Sequence, residues 1–298
     1  MHGKKQTALC AGLAALALAT SAGARAETLI YVTSSAIGTV DSSAPSTDNT
    51  AGNNGPLSYS LPSGYYTIGA KVSDDAESLY LLGYNGSTCQ LFAVNANGGS
   101  NGAANLTAVQ SFGCTISSGG GDFSFVDATG GSALDEYLVA NGPSLYEIGA
   151  GGSSVNSGTA ENSNGGTANL VGIASAGTTG ALFAIDTSVE DMVQLNLGTS
   201  PVGETGVTAL GFAPSSNISL DYSLNSGIYY LYTGGELYGA TSAVSGFAAL
   251  GGVPDGTLSM SAAENVAVDN SNGGAFGPAA LLPLLGLAAL RRRKKVAA

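Results

Sequence analysis

Five segments of the chain repeat one short pattern: an apolar strand, a small polar turn, and a second strand that often opens on Leu-Tyr or Leu-Phe. They are "LIYVTSSAIGTVD" from position 29, "LYLLGYNGSTCQLFAVNAN" from 79, "EYLVANGPSLYEIGAG" from 136, "LFAIDTSVEDMVQLNLG" from 182 and "YYLYTGGELYGATSA" from 229. The starting positions lie roughly 45 to 60 residues apart, a period typical of one four-stranded propeller blade. With 45 glycines among 298 residues, and little sustained helical periodicity, the chain favours short strands and tight turns. The pattern predicts an all-β fold: a propeller-like ring of about five four-stranded blades over residues 27–268. A flat β-sandwich or a β-solenoid is the alternative.

In the second copy all four strands can be placed, as "YTIGAKVS", "SLYLLGY", "CQLFAVN" and "LTAVQSFG". If the last two pair antiparallel around "ANGGSNGAAN", the residue opposite Cys89 should be near 114, and 114 is a cysteine. A Cys89–Cys114 disulfide is therefore expected to brace the outer edge of this blade, given an oxidising compartment. Ring closure is expected from "TLSMSAAENVAV", residues 257–268, as the innermost strand of the blade whose outer strands begin at Thr28. That arrangement protects the edges of the terminal blade.

The stretches "GALFAIDTSVEDMVQLNLG" and "LNSGIYYLYTGGELYGATSAVSGFAALGGVPDGTLSMSAA" resemble the repeats of the secreted bacterial domain-of-unknown-function family 4394. The resemblance spans residues 28–268 and implies a propeller-like architecture with no established activity. This chain departs from the family pattern by placing Gly, Ser and Asn at most of the turn positions where charges are expected.

The two ends carry addresses. Lys4 and Lys5 precede an apolar stretch from about Ala8 to Ala19, and Ala24-Arg25-Ala26 forms a small-x-small cleavage site. This reads as a signal peptide over residues 1–26, cut after Ala26 by signal peptidase. Cys10 lies inside the apolar stretch, so removal with the signal is preferred to a lipoprotein anchor.

At the other end, a linker over 269–274 leads into an uncharged segment and then Arg291, Arg292, Arg293, Lys294 and Lys295. From Gly273 to Leu290 the eighteen uncharged residues are near the lower limit for a spanning helix. One transmembrane helix is expected over 275–290, with the basic tail 291–298 cytoplasmic by the positive-inside rule. Pro278 and Pro283 weaken such a helix.

The order of Gly273-Gly274, short apolar span and basic cluster resembles the GlyGly-CTERM sorting signal of Gram-negative bacteria. The resemblance implies cleavage near Gly273 and Gly274 by a rhombosortase-type intramembrane protease. Passage to the cell surface or medium through secretion machinery follows from it. The alternative is an anchor that is never cut.

Between Glu27 and Gly274 the sequence carries 21 acidic residues and one basic residue, Lys71, a net charge of 1 − 21 = −20. Phosphate-backbone binding needs Lys and Arg, so no nucleic acid partner is expected. The one histidine, His2, lies in the signal peptide, so a mature chain starting at Glu27 has neither the usual general base nor the usual metal ligand. No catalytic residues and no cofactor are assigned.

Asp74, Asp75 and Glu77 crowd three carboxylates into four positions, a weak candidate for calcium. Solvated turn acids are the plainer reading there, as for Asp135 with Glu136 and Glu190 with Asp191. The tyrosines, including Tyr65, Tyr66, Tyr229 and Tyr230, suit either sugar stacking or packing between blades. The expected function is thus a non-enzymatic, exported binding or interaction protein whose ligand the sequence does not identify. A secreted carboxylate-dependent hydrolase acting on polysaccharide, or a structural envelope protein, is the alternative.

Overall fold

The computed structural model describes residues 26–269, apart from 52–54, 74–76, 98–101, 117–120, 127–135, 150–153, 163, 177–180, 198–200 and 216. Its described regular structure is all strand, with no helix. The first unit contains β1 (Thr28–Val32), β2 (Ala36–Asp41), β3 (Ala44–Asp48) and the two-residue β4 (Leu57–Ser58). The second contains β5 (Tyr66–Val72), β6 (Leu79–Tyr84), β7 (Thr88–Asn95) and β8 (Asn105–Gly113). The third contains β9 (Asp122–Phe125), β10 (Glu136–Asn141), β11 (Ser144–Gly149) and β12 (Ser154–Glu161). The fourth contains β13 (Leu170–Ser175), β14 (Leu182–Asp186), β15 (Asp191–Asn196) and β16 (Val202–Ala209). The fifth contains β17 (Ser219–Tyr222), β18 (Tyr229–Thr233), β19 (Glu236–Ala240) and β20 (Ala248–Gly252), and β21 (Ser259–Ala262) follows.

Each of the second to fifth units is an antiparallel meander in sequence order. The first is completed from the far end of the chain, since β21 pairs with β1, Leu29 opposite Ala262 and Val32 opposite Ser259. The predicted closure is therefore present, and the five repeated hairpins are β1–β2, β6–β7, β10–β11, β14–β15 and β18–β19. The inner strands meet in cyclic order: β21 against β5, β5 against β9, β9 against β13, β13 against β17, and β17 against β21. The result is a propeller-like fold.

One pairing falls outside the repeat pattern. The end of β12 pairs parallel with the start of β16, Ala160 with Val202 and Glu161 with Gly203, joining the third and fourth units into one eight-stranded sheet.

Packing explains why so many strands lack a polar face. Ile30 and Val32 join Leu79, Leu81 and Phe92 between the first and second units, whereas Leu29 and Tyr31 join Tyr230, Tyr232 and Met260 between the fifth and first. Successive side chains of a strand point to opposite faces, so β1 contributes to two cores. The same alternation sends Leu79 and Leu81 one way and Tyr80 and Leu82 the other, onto Phe123, Phe125 and Tyr137. Two further clusters bridge the third to the fourth unit and the fourth to the fifth. A sheet covered on both faces is apolar on both, and β6 and β18 are buried along their whole length.

The Cys89–Cys114 disulfide is present, with Cα atoms 5.7 Å apart. The strand register differs from the sequence estimate: Cys89 lies opposite Phe112, and Thr88 opposite Gly113. A bulge at Leu91/Phe92 moves the ladder one residue toward the expected register, from Ser111 to Phe112 opposite Cys89, and Cys114 reaches Cys89 from just past the end of β8.

The signal segment 1–25 and the tail 270–298, with Gly273, Gly274, the 275–290 span and the basic cluster, lie outside the described residues. Among the described residues no helix is long and apolar enough to cross a membrane.

Candidate functional site

The inner strands carry short tetrads along the axis of the ring: Gly69-Ala-Lys71-Val in β5, Asp122-Phe-Ser124-Phe in β9, Gly172-Ile-Ala174-Ser in β13, Ser219-Leu-Asp221-Tyr in β17 and Ser259-Met-Ser261-Ala in β21. Each inner strand has a free edge whose buried N–H groups need acceptors, and polar side chains of a neighbouring tetrad supply them. Ser259 Oγ and Ser261 Oγ accept from the amides of Ala70 and Val72 at 3.2 and 3.1 Å. Asp122 Oδ2 and Ser124 Oγ accept from Ile173 and Ser175 at 3.1 and 3.0 Å. Ser219 Oγ and Asp221 Oδ2 accept from Met260 and Ala262 at 2.9 and 2.8 Å.

β13 has no polar side chain at the equivalent positions, and Asp122 takes over its part by reaching across the axis to accept from Leu220 N at 3.1 Å. That reach depends on glycine. A Cβ on Gly172 would lie 3.2 Å from Leu220 N, and one on Gly69 would lie 3.2 Å from Asp122 Oδ1.

Lys71 completes the network from the second unit. Its Nζ lies 3.2 Å from Asp122 Oδ2 and 3.9 Å from Asp221 Oδ1, and donates to the carbonyl of Leu220. Lys71 and Asp122 are each 1% exposed. Burial pushes the Asp122 carboxyl up to about 6, with the Lys71 ammonium and the Ile173 and Leu220 amides pulling it down. The one basic residue between 27 and 274 thus sits in the axis. Side chains fill that axis. A cavity of about 30 Å³ beside Lys71, Asp221 and Glu264 has room for a water but not for a ligand.

At the opposite end, where the inner strands begin, a cup of about 580 Å³ opens, within the range of small-molecule sites. Its wall includes Thr67 and Ile68, Gly121, Ile218 and Leu258, the residues just before the axial tetrads, so the polar plug forms its floor. Tyr59, Tyr65 and Tyr66 line one side. Tyr59 OH donates to Thr33 O at 2.6 Å and lies 2.5 Å from Thr67 Oγ1. Burial pushes its phenol up to about 12, with Thr67 pulling the other way, so it stays neutral.

Tyr65 meets Phe92 edge-on at 6.1 Å, and Tyr66 meets Tyr84 edge-on at 5.4 Å. Tyr66 remains 50% exposed. Asn217, at the rim, holds φ at 59°, a left-handed conformation that asparagine tolerates better than most residues. Among the described residues no Asp, Glu, Lys or Arg lines the cup.

The predicted site residues are not gathered here. Asp74 and Asp75 lie outside the described residues, and Glu77 is exposed in its turn. Among the described residues no group of three or more His, Cys, Asp or Glu side chains is placed to hold a metal ion. Tyr65 and Tyr66 do line the cup, whereas Tyr229 and Tyr230 are buried between units. Glu190 adopts φ of 59° at the β14–β15 turn.

One carboxyl pair escaped sequence reasoning. Glu204 on β16 faces the fully buried Asp186, and both Glu204 oxygens are shielded from water. Asp186 accepts from Asn169 N, Ser188 N and Ser188 Oγ at 2.8, 2.8 and 2.9 Å. Burial, then the charge and hydrogen bond of Asp186, push Glu204 up to about 8, so Glu204 holds its proton well above the usual carboxylate range. Asp191 lies opposite Asp186 in the ladder, and Glu161 opposite the neighbouring Gly203, adding no cation.

The folded state binds this proton more tightly than the unfolded chain, so stability is full below about pH 4.5 and falls as pH rises toward 8. With solvent screening of a half-buried group allowed for, the loss between pH 5 and 8 is about 1–2 kcal/mol. Glu204→Gln, an uncharged side chain of the same shape, is expected to flatten that slope in urea titrations at the two pH values. An unchanged slope would mean that Glu204 does not carry this pH dependence.

No family model matches the chain, and no curated protein matches it in sequence. Solved structures of similar shape include a protein of unknown function from Bacteroides thetaiotaomicron VPI-5482, at 14% identity and a TM-score of 0.44, over 75% of this chain and 50% of that one. A second protein of unknown function, from Bacteroides caccae, gives 9% identity and a TM-score of 0.41 over 74% and 71% of the two chains. A chain of a nidogen/laminin complex gives 11% identity and a TM-score of 0.43 over 79% and 98%. This chain thus spans half the length of the first.

Proposed function

We propose that the chain is the precursor of an exported, surface-sorted, non-enzymatic protein: a five-bladed propeller that binds a ligand in the cup at the end of its axis. The observation that carries the binding role is the cup itself, closed below by the Lys71–Asp122 network and lined by tyrosines and hydroxyls. Export rests on the two terminal signals. Signal peptidase removes residues 1–26, a rhombosortase-type protease cuts near Gly273 and Gly274, and secretion machinery delivers the product to the surface or medium.

The residues on either side of that cut suit it. Ala26 is exposed. Glu27 is tied into the ring: its carboxylate accepts from Ser226 Oγ and Tyr230 OH, both at 2.7 Å, and its backbone N–H donates to Ser42 Oγ at 3.0 Å.

Expressing the full chain in a bacterium that has rhombosortase, and in its deletion strain, tests the address. The expected product is a chain beginning at Glu27 and ending near Gly273 only where the protease is present, read by intact mass. Retention of the five basic residues in both strains would make the protein a membrane-tethered ectodomain instead.

A further inference from the structure

We infer that the ligand of the cup is a neutral saccharide, stacked on Tyr66 and bonded by the surrounding hydroxyls; this deepens the binding role proposed above and rests on it. Charge makes the first selection. The region from Glu27 to Gly274 carries 21 acids and a single base, yet among the described residues none of them lines the cup. An anionic ligand would find no cation there: Lys71, the one base of that region, is sealed in the axis and engaged by Asp122, Asp221 and the Leu220 carbonyl. It would also enter against the field of the whole protein. A cationic ligand would find no carboxylate among the described lining residues to neutralise it.

The lining chemistry makes the second selection. Ser34, Ser35, Ser60 and Asn217 are among the lining residues, and their hydroxyl and amide side chains both donate and accept hydrogen bonds. Sugar hydroxyls have the same dual character. A purely apolar ligand would leave these groups unpaired, at a cost.

Aromatic geometry makes the third. A pyranose has an apolar C–H face that needs an exposed, oriented ring. Tyr66 is half exposed and held by its edge contact with Tyr84 at 5.4 Å and 81°. Tyr65 behind it is fixed by Phe92 at 6.1 Å and 89°. Depth makes the last. The cup is blind, because the axial network fills what would otherwise be a channel, so it suits the end of a glycan chain or a short oligosaccharide.

The test uses the purified mature protein on a broad array of neutral and acidic glycans, followed by calorimetry and tyrosine emission. The chain contains no tryptophan, so the emission reports tyrosine directly. At least one neutral glycan is expected to bind saturably and to alter the emission, with trigalacturonate and choline inert as anionic and cationic probes. Tyr66→Ala is expected to weaken that binding roughly tenfold or more, while Tyr66→Phe, which keeps the ring, stays within about threefold. Melting temperatures of both variants should match the parent, which separates lost stacking from lost folding.

Binding of only trigalacturonate or only choline would overturn the saccharide. Neutral binding that Tyr66→Ala leaves intact would overturn the cup as its site. If no neutral glycan binds, a fragment library screened by amide shifts at Thr67 and Ile68 separates the remaining cases. Fragment shifts there would overturn the saccharide and keep the binding role, and no shifts with any compound would overturn both.

Discussion

Lys71→Met is expected to destabilise the protein by about 3–5 kcal/mol, because it strands a buried charge. The substitution keeps most of the apolar stem but removes the ammonium, leaving Asp122 buried at 1% exposure without the cation 3.2 Å from its Oδ2. The Ile173 and Leu220 amides still donate to that oxygen, so the carboxyl would take up a proton at neutral pH more readily than it does beside Lys71. The double variant Lys71→Met/Asp122→Asn removes both charges and keeps an acceptor for one or both amides. It should recover at least about half of the loss, because an unpaired buried charge costs more than an absent pair. Urea titrations of the parent, both single variants and the double variant give the coupling directly. A cost below about 1 kcal/mol for Lys71→Met would mean that the ammonium is not what secures the axis.

That network also shows what sequence reading reaches and what it does not. The hairpins were legible because each is local: an apolar run, a turn, a second run, with pairings such as Leu79 with Val94 following from the turn alone. Closure by β21 was legible because its alternating tetrad has no partner nearby in sequence. The parallel contact of β12 with β16 was not, since no turn connects the two and only two residues pair on each side.

The axial role of Lys71 had a signal that went unread. Small or polar residues hold the first and third positions of every inner-strand tetrad, with apolar ones between them, and a lone lysine at such a position has nowhere to go but the axis. The cup had almost none. Its wall is assembled from residues near 34, 60, 66, 121, 217 and 258, and only the ring closure brings them together. Calcium at Asp74, Asp75 and Glu77 was suggested by crowding alone, and crowding of acids in a turn is what solvation permits anyway. The Glu204–Asp186 pair shows the converse, two carboxyls separated in sequence and in contact across β14 and β16.

The second large effect is expected from the disulfide. Cys89→Ser with Cys114→Ser should lower stability by about 3 kcal/mol, from the entropy regained by opening a loop of 25 residues in the unfolded chain. Treating the parent with reductant should reproduce the loss, and a change under about 1 kcal/mol in both experiments would show that the crosslink is redundant.

The consequences should also be unevenly distributed. β8 pairs on one side only, with β7, and most of its residues face solvent, so its hold on the unit comes from the ladder, from Phe112 packed on Tyr137 at 6.0 Å, and from the bond at its end. Past that bond the chain runs from Cys114 to Ile116, which packs in the core between the second and third units and also lines the cup. Hydrogen exchange of the β8 amides should therefore accelerate more in the serine variant than exchange in β6 or β18, and any ligand of the cup should bind more weakly to it. A uniform acceleration across all strands would instead place the effect wholly in the unfolded chain, and the cup would keep its affinity.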